Sequence, residues 1–418
     1  MVNPSNWDWS PGRKLVADVN DAGPDFVVRE LAVSPDGERL AAAVQNGDTH
    51  HIRVNGQLEP QEYEKAWHLR YSPDGRLTAL VRRNDQWSVL VDGQVWEEQF
   101  DYAWNTKFSP SGSIGVQFKR DMRYSVAIDG TPWEQSFLSC RDFAMSDDGQ
   151  SAAATVQVEA LPEADIFKFL QGTWSIAVDG KAWDRKFLNA YTPRFSANRE
   201  HVAAQVRLDL FEYTAAVDGT PWESRFGCIW EPTFRPDRAD LLVPIRVDGG
   251  WTLAENGKPI WNRKYVQLWN QRLSPDGRRV AAVVATSYGR WTVAVDDVPW
   301  KLTFGNLVAA PVFSADGHHV AATIRTDAQW SVAVDGAVWP AVFDMAWEPV
   351  LSPDGSAVAA RVETGGRHAL AVNGVVWRPR FDRLWDPVFS SDGKKLLVRG
   401  IDDGRYHRQV LPVQEVIG

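Results

Sequence analysis

Cysteine is nearly absent from this chain of 418 residues: Cys140 and Cys228 are the only two, and they lie far apart in sequence. Two thiols permit one disulfide but exclude a disulfide framework, and they cannot hold an iron–sulfur cluster through four thiolates. No run approaches the roughly 20 apolar residues that span a bilayer. The amino end, "MVNPSNWDWSPGRK", lacks a basic segment followed by an apolar stretch, so a cytoplasmic address without a secretory signal is expected. Excess positive charge is also missing. The net charge of −9, with no Lys/Arg cluster, argues against a nucleic-acid partner. There is no Gly-x-Ser-x-Gly elbow, no Cys-x-x-Cys-His and no phosphate-cradling glycine loop before a helix. His50-His51 and His318-His319 are adjacent pairs that would point to opposite faces of a strand, which makes neither a ready metal site. A non-enzymatic, cofactor-free protein is expected.

What the chain has is repetition. Ser-Pro-Asp-Gly, or a relative of it, begins at Ser34, Ser72, Ser109, Ser146, Ser196, Arg235, Ser274, Ser314, Ser352 and Ser390. The steps are 38, 37, 37, 50, 39, 39, 40, 38 and 38 residues, so one array covers residues 1–418 and a single insertion, residues 157–172, interrupts it. Within a unit, "EPVLS" and "SAVAARVE" flank one tight turn, and "RHALAVN" and "VVWRPRF" flank Asn373-Gly374. Asn-Gly or Asp-Gly recurs at this second turn through most of the array and supplies the positive φ of two-residue hairpins. The many aspartates are therefore read as turn chemistry. Four antiparallel strands per unit of about 40 residues form a β-propeller blade. The expected fold is all-β, a propeller of about ten units. Strands from both termini close it, with "DFVVRE" supplying the strand missing after "RYHRQVLPV". One ring is favoured over two five-bladed rings because no linker interrupts the middle.

Most of the 21 tryptophans fall into three registers. The first follows the Asp-Gly turn (Trp96, Trp133, Trp183, Trp222, Trp261, Trp300, Trp339 and Trp377), each with an aromatic four residues on. These pairs share a strand face and suit packing between blades. The second opens the third strand (Trp87, Trp174, Trp251, Trp291 and Trp330, with Tyr124 and Tyr213) and is also read as packing. The third stands five residues before each Ser-Pro-Asp-Gly mark: Trp67, Trp104, Tyr191, Trp230, Trp269, Trp347 and Trp385, with Arg29, Arg141 and Ala309 in the remaining units. This register sits where one blade hands over to the next, so its aromatics can rim a recognition surface or seal the core below. The insertion carries Ile166, Phe167, Phe169 and Leu170, and the next unit brings Leu208, Leu210 and Phe211 into the corresponding connection. Together they suggest one docking patch for another protein.

The hairpins at Phe313–Ala322 ("FSADGHHVAA") and Val350–Ala360 ("VLSPDGSAVAA") resemble the WD40-like propeller repeats of bacterial proteins. The Trp-rich blades, with no signal peptide or cofactor motif, further resemble the tryptophan-rich D subunits of Tmc transmembrane electron-transfer complexes of anaerobic respiration. That resemblance implies a cofactor-free scaffold subunit docking on an iron–sulfur protein, a cytochrome b-like membrane subunit and a multihaem cytochrome. It would sit peripherally at the inner face of the cytoplasmic membrane. The alternative is a stand-alone propeller that binds a small molecule or glycan through its aromatic rim.

Overall fold

A computed structural model describes residues 4–23, 25–161 and 165–418. Its strands form ten antiparallel sheets, and the fold is an all-β propeller of ten blades. Blades 1 to 9 take their strands from residues 27–63, 65–95, 102–132, 139–182, 189–221, 233–259, 267–299, 307–338 and 345–376. Blade 10 combines residues 383–412 with the Gly12–Asp18 strand, which pairs antiparallel with Arg405–Pro412. Contacts divide the chain into two units. Pro60–Lys264, with Gly47–His51, holds blades 2 to 6; Tyr265–Gly418, with the N-terminal residues up to Asn46 and Ile52–Glu59, holds blades 7 to 10 and most of blade 1.

Both termini thus complete one blade, but the closing segment is not the expected one. "DFVVRE" opens blade 1, whose first strand is Val27–Val33, and "GRKLVAD" closes blade 10. The closing strand is bulged between Leu15 and Ala17, which breaks the alternation that marks a strand.

The two turn types do different work. In the Ser-Pro-Asp-Gly turn the buried serine hydroxyl donates to the aspartate two residues on, at 2.5 Å for Ser274–Asp276 and 2.7 Å for Ser352–Asp354. The serine oxygen also accepts the backbone N–H that closes the turn, as Ala357 N does at 2.9 Å. These hydroxyl donors hold Asp148, Asp276, Asp316 and Asp392 below the usual carboxylate range. Asp354, held by Ser352 and Ser356, falls to about 2. In the second turn the Asp or Asn has positive φ, and its side chain accepts the first N–H of the second strand. Leu77 N to Asp92 Oδ1 and Val358 N to Asn373 Oδ1 are both 2.8 Å. The carboxylates belong to the turns, as their spacing implied. His318 and His319 also lie in such a turn rather than in a strand, and His319 Nδ1 is 2.7 Å from Asp335 Oδ2.

Cores form where successive blades meet. Around Phe137 of blade 3 gather Phe143, Ala152, Ala154 and Val156 of blade 4. The aromatic four residues after each first-register tryptophan is buried in every blade that has one, from Phe100 at 0% to Phe226 at 7% exposure.

The aromatic face and its insertion

The first register fastens blade to blade. From its tryptophan the fourth strand leaves the ladder and rejoins it at the following aromatic, where Trp87 bridges Phe100 and Tyr124 bridges Phe137. A buried Ser or Thr of the third strand holds the excursion by donating to its carbonyls. Ser125 Oγ to Gln135 O and Ser331 Oγ to Ala341 O are each 2.8 Å. The tryptophan then covers the Asp-Gly turn of the next blade. A Cβ built on Gly180 would lie 3.1 Å from Trp133, and one on Gly374 would lie 3.3 Å from Trp339. Those turn residues must be glycine for their positive φ and for the indole above them. Trp261, Trp339 and Trp377 are buried; the other five are half-buried.

The second and third registers meet within blades 2, 3, 4, 6, 7, 9 and 10, at the end that also carries the connection between second and third strands. Trp67 stands edge-on to Trp87 at 6.2 Å, Trp104 to Tyr124 at 6.0 Å and Trp385 to Tyr406 at 5.8 Å. Trp269 tilts against Trp291 at 4.7 Å, and Trp230 lies flat on Trp251, with 5.2 Å between centroids and 6° between planes. In blade 4, where the third register is arginine, the contact persists as a cation–π pair, with the Arg141 guanidinium 3.4 Å from the centre of Trp174. Trp347 is held between His368 at 5.3 Å and the Arg361 guanidinium at 4.0 Å. Burial, chiefly, lowers the pKa of His368, with Arg361 and Arg383 adding to the effect.

Of the seven third-register aromatics, Trp67 and Trp230 are exposed, at 36% and 38%. Trp104, Tyr191, Trp269, Trp347 and Trp385 are half-buried. Burial, with neighbouring Tyr213 and Cys228 adding to it, raises the Tyr191 phenol above its ordinary value. The backbone positions this register in two ways. In blades 2, 3, 4, 5 and 7 the next residue has positive φ (His68, Asn105, Asp142, Thr192 and Asn270) at a bulge of the first strand. In blades 6, 8, 9 and 10 a proline two residues on (Pro232, Pro311, Pro349 and Pro387) splits that strand instead. "WEP" and "WDP" carried this signal in the sequence.

The insertion rises at the same end. Its described part forms the single-turn helix α1 (Ile166–Leu170), capped by the Asp165 carboxylate, which accepts from Lys168 N at 2.9 Å. Ile166 is 53% exposed, Phe167 77% and Leu170 42%. In blade 5, Arg207 and Asp209 tie down the corresponding loop: Arg207 donates to the Leu210 carbonyl at 2.6 Å, and Asp209 Oδ1 accepts from Phe211 N at 2.8 Å. The tied loop presents Phe211 at 80% exposure and Leu210 at 40%. Phe169 and Leu208 turn inward: Phe169 is half-buried, and Leu208 packs beside Val206 and Trp174. Leu170 and Leu210 remain on the surface. Helical spacing puts Ile166 and Leu170 on one side of α1, but the strand-or-helix ambiguity of "ADIFKFLQ" concealed which residues would face out.

Among the described residues no group of three or more His, Cys, Asp or Glu is placed to hold a metal ion, and no helix is long and apolar enough to cross a membrane.

No family model matches the chain, and no curated protein matches it. Among solved structures it is similar to one described as a eukaryotic initiation factor, with TM-score 0.49 and 11% identity over 79% of this chain and 91% of that one. It is also similar to the Dos1 propeller (TM-score 0.36, 12% identity, 95% of each chain). A third likeness is to hydrazine synthase of Kuenenia stuttgartiensis (TM-score 0.29, 14% identity, 85% of this chain and 96% of that one). No activity follows from likenesses at this level, since propellers serve many unrelated roles.

Proposed function

We propose that this protein is a non-catalytic, cofactor-free interaction subunit that docks other proteins on the end of blades 2 to 6 that carries Trp67, Trp104, Tyr191, Trp230 and α1. One observation carries this reading. Ile166, Phe167 and Leu170 of blade 4 and Leu210 and Phe211 of blade 5 project at the same end of adjacent blades, on segments fixed by capping and hydrogen bonds. Large apolar side chains held rigid in water are typical of binding surfaces, because little conformational freedom is lost when a partner covers them. In line with the resemblance of its blades, the partners are the iron–sulfur, cytochrome b-like and multihaem subunits of a membrane-associated electron-transfer complex. The chain would then lie peripherally on the cytoplasmic side of the membrane.

The test is co-expression with the iron–sulfur, cytochrome b-like and multihaem subunits of such a complex, followed by purification through a tag on this chain. Stoichiometric haem absorption in the purified complex, lost in Phe167→Ala/Phe211→Ala, is the expected result. Both residues are exposed, so the double variant folds. A chain that purifies without redox partners, or a complex indifferent to both substitutions, overturns the proposal. Glycan binding by the isolated chain would favour the stand-alone alternative.

A further inference from the structure

The second- and third-register rings of blades 2 and 3 run together into one belt. Trp67 meets Trp87 at 6.2 Å, Trp87 meets Tyr102 at 5.6 Å, Tyr102 stacks beside Trp104 at 5.8 Å, and Trp104 meets Tyr124 at 6.0 Å. Tyr102 makes the join. It stands two residues before the third-register tryptophan, a place that blades 2, 4 and 5 give to Lys65, Ser139 and Asn189. Trp67 and Tyr102 are 36% and 42% exposed, and the other three rings are half-buried.

In four other blades a ring of these registers carries a guanidinium. Arg141 lies 3.4 Å from the centre of Trp174 in blade 4, and Arg361 4.0 Å from Trp347 in blade 9. In blades 5 and 8 the cross-strand neighbour supplies it, with Arg207 5.5 Å from Tyr213 and Arg325 5.5 Å from Trp330. The belt gets none from these places. In blade 2 the same neighbour, Arg82, turns instead to Glu64 and Asp85, at 3.6 and 2.5 Å, and in blade 3 it is Lys119. Arg120 is also engaged elsewhere, over Phe100 at 5.2 Å and with Glu98 at 2.5 Å. Negative charge borders the belt. Asp101 immediately precedes Tyr102, and its carboxylate accepts from Asp121 N at 2.9 Å. Both aspartates are exposed, and among the described residues no Lys or Arg pairs with either.

We propose that the belt of blades 2 and 3 binds an arginine-bearing segment of a partner polypeptide. The arrival of a polypeptide at this end rests on the docking function proposed above; the belt itself specifies the residue that the polypeptide brings. An indole or phenol face attracts a cation, and in four other blades the cation these rings take is a guanidinium. Arginine suits the belt better than lysine, because its planar, weakly hydrated group stacks on a ring while its edge still donates to a carboxylate. The net charge of −9 also favours a cationic segment.

The probe is a fluorophore-labelled pentapeptide with arginine at its second and fourth residues and glycine elsewhere, compared with its lysine and citrulline counterparts. Citrulline keeps the planar group without the charge. Anisotropy with the full chain should show the arginine peptide binding at least about fivefold more tightly than either counterpart. Tyr102→Ser, which interrupts the belt at an exposed ring, and Trp67→Ala should each weaken it about fivefold, whereas Phe167→Ala/Phe211→Ala should not. Equal binding of the arginine and lysine peptides overturns the site, as does equal binding to the native and Tyr102→Ser proteins. Absence of binding at millimolar peptide overturns it too. Capture of redox subunits without arginine-peptide binding overturns the belt and leaves the docking function standing. Arginine-peptide binding that Tyr102→Ser weakens, without capture of redox subunits, supports the belt and overturns that choice of partners.

Discussion

Replacing Trp339 with alanine removes a side chain that is 7% exposed and is packed with Phe343, Val358 and Ala360 across the junction of blades 8 and 9. A buried indole withdraws about 200 Å² from water, which at about 25 cal/mol/Å² sets an upper bound near 5 kcal/mol. Large aromatic-to-alanine substitutions in cores cost about 3–5 kcal/mol, so a loss of about 4 kcal/mol is expected. The tryptophan also roofs Gly374, which permits a sharper test. Gly374 has φ 81°, so alanine there is strained by about 1–2 kcal/mol in any background. In the native protein its Cβ would additionally lie 3.3 Å from the indole. Gly374→Ala should therefore cost about 0.5–1 kcal/mol less in the Trp339→Ala background than alone. Urea unfolding followed by far-ultraviolet circular dichroism measures all four proteins without relying on indole fluorescence. A Trp339→Ala cost below about 1.5 kcal/mol, or a Gly374→Ala cost that ignores the indole, refutes the account of the first register as a fastening between blades.

Trp347→Ala should cost less, about 1–2 kcal/mol, because its ring is half-exposed; reduced capture of partner proteins would mark it as part of the docking face, and a cost matching Trp339→Ala would mark it as core. Deleting residues 4–18 removes the Gly12–Asp18 strand and bares the edge of Arg405–Pro412, so a lower thermal midpoint and concentration-dependent aggregation are expected; light scattering unchanged from the full chain would contradict that. Acid should destabilise the fold in two stages. His368 and His407 have lowered pKa values, so the stability they contribute is complete above the unfolded value near 6.5 and is lost as pH falls through their folded values. The aspartates of the Ser-Pro-Asp-Gly turns also have lowered values, so their contribution is complete above about pH 4 and is lost below it, towards pH 2 for Asp354. Ser352→Ala should move the second stage upward, and an unchanged acid midpoint would show that the hydroxyl does not stabilise the carboxylate.

The ten blades were legible because each turn carries its own chemistry within a few residues. Asp92-Gly93 or Asn373-Gly374 needs positive φ, and the same side chain caps the neighbouring strand, so sequence and geometry coincide locally. The first-register tryptophans were legible as packing for the same reason of spacing, but their manner of packing was not. A strand drawn through Trp133 and Phe137 suggests two rings on one face, whereas the chain leaves the ladder between them and Ser125 holds the excursion. The serine or threonine one residue after each second-register aromatic was visible in the sequence, yet a hydroxyl among apolar residues in a strand is ordinarily read as facing solvent.

The tenth junction was hidden for a different reason. Reading "GRKLVAD" as the closing strand requires its register against a segment nearly 400 residues later, and no local signal supplies it. The bulge at Leu15 to Ala17 erases the period of two, while "DFVVRE", richer in β-branched residues, offers the stronger local pattern and takes the first strand of blade 1 instead. Only when Ala17 is set opposite Tyr406 does its small size become informative, because the same position holds phenylalanine or tyrosine at the other junctions that carry the pair. Lys14 and Arg408 reach Glu38 through long, flexible side chains, at 2.6 and 2.9 Å, while Ala17, 6% exposed, shares a closed apolar cluster with Leu40 and Tyr406, so no space for a ring stands open beside it. On this argument Ala17→Phe overpacks the junction and should cost about 1–3 kcal/mol, appearing chiefly as faster unfolding in stopped-flow measurements on both proteins; unfolding as slow as the native protein's would refute it.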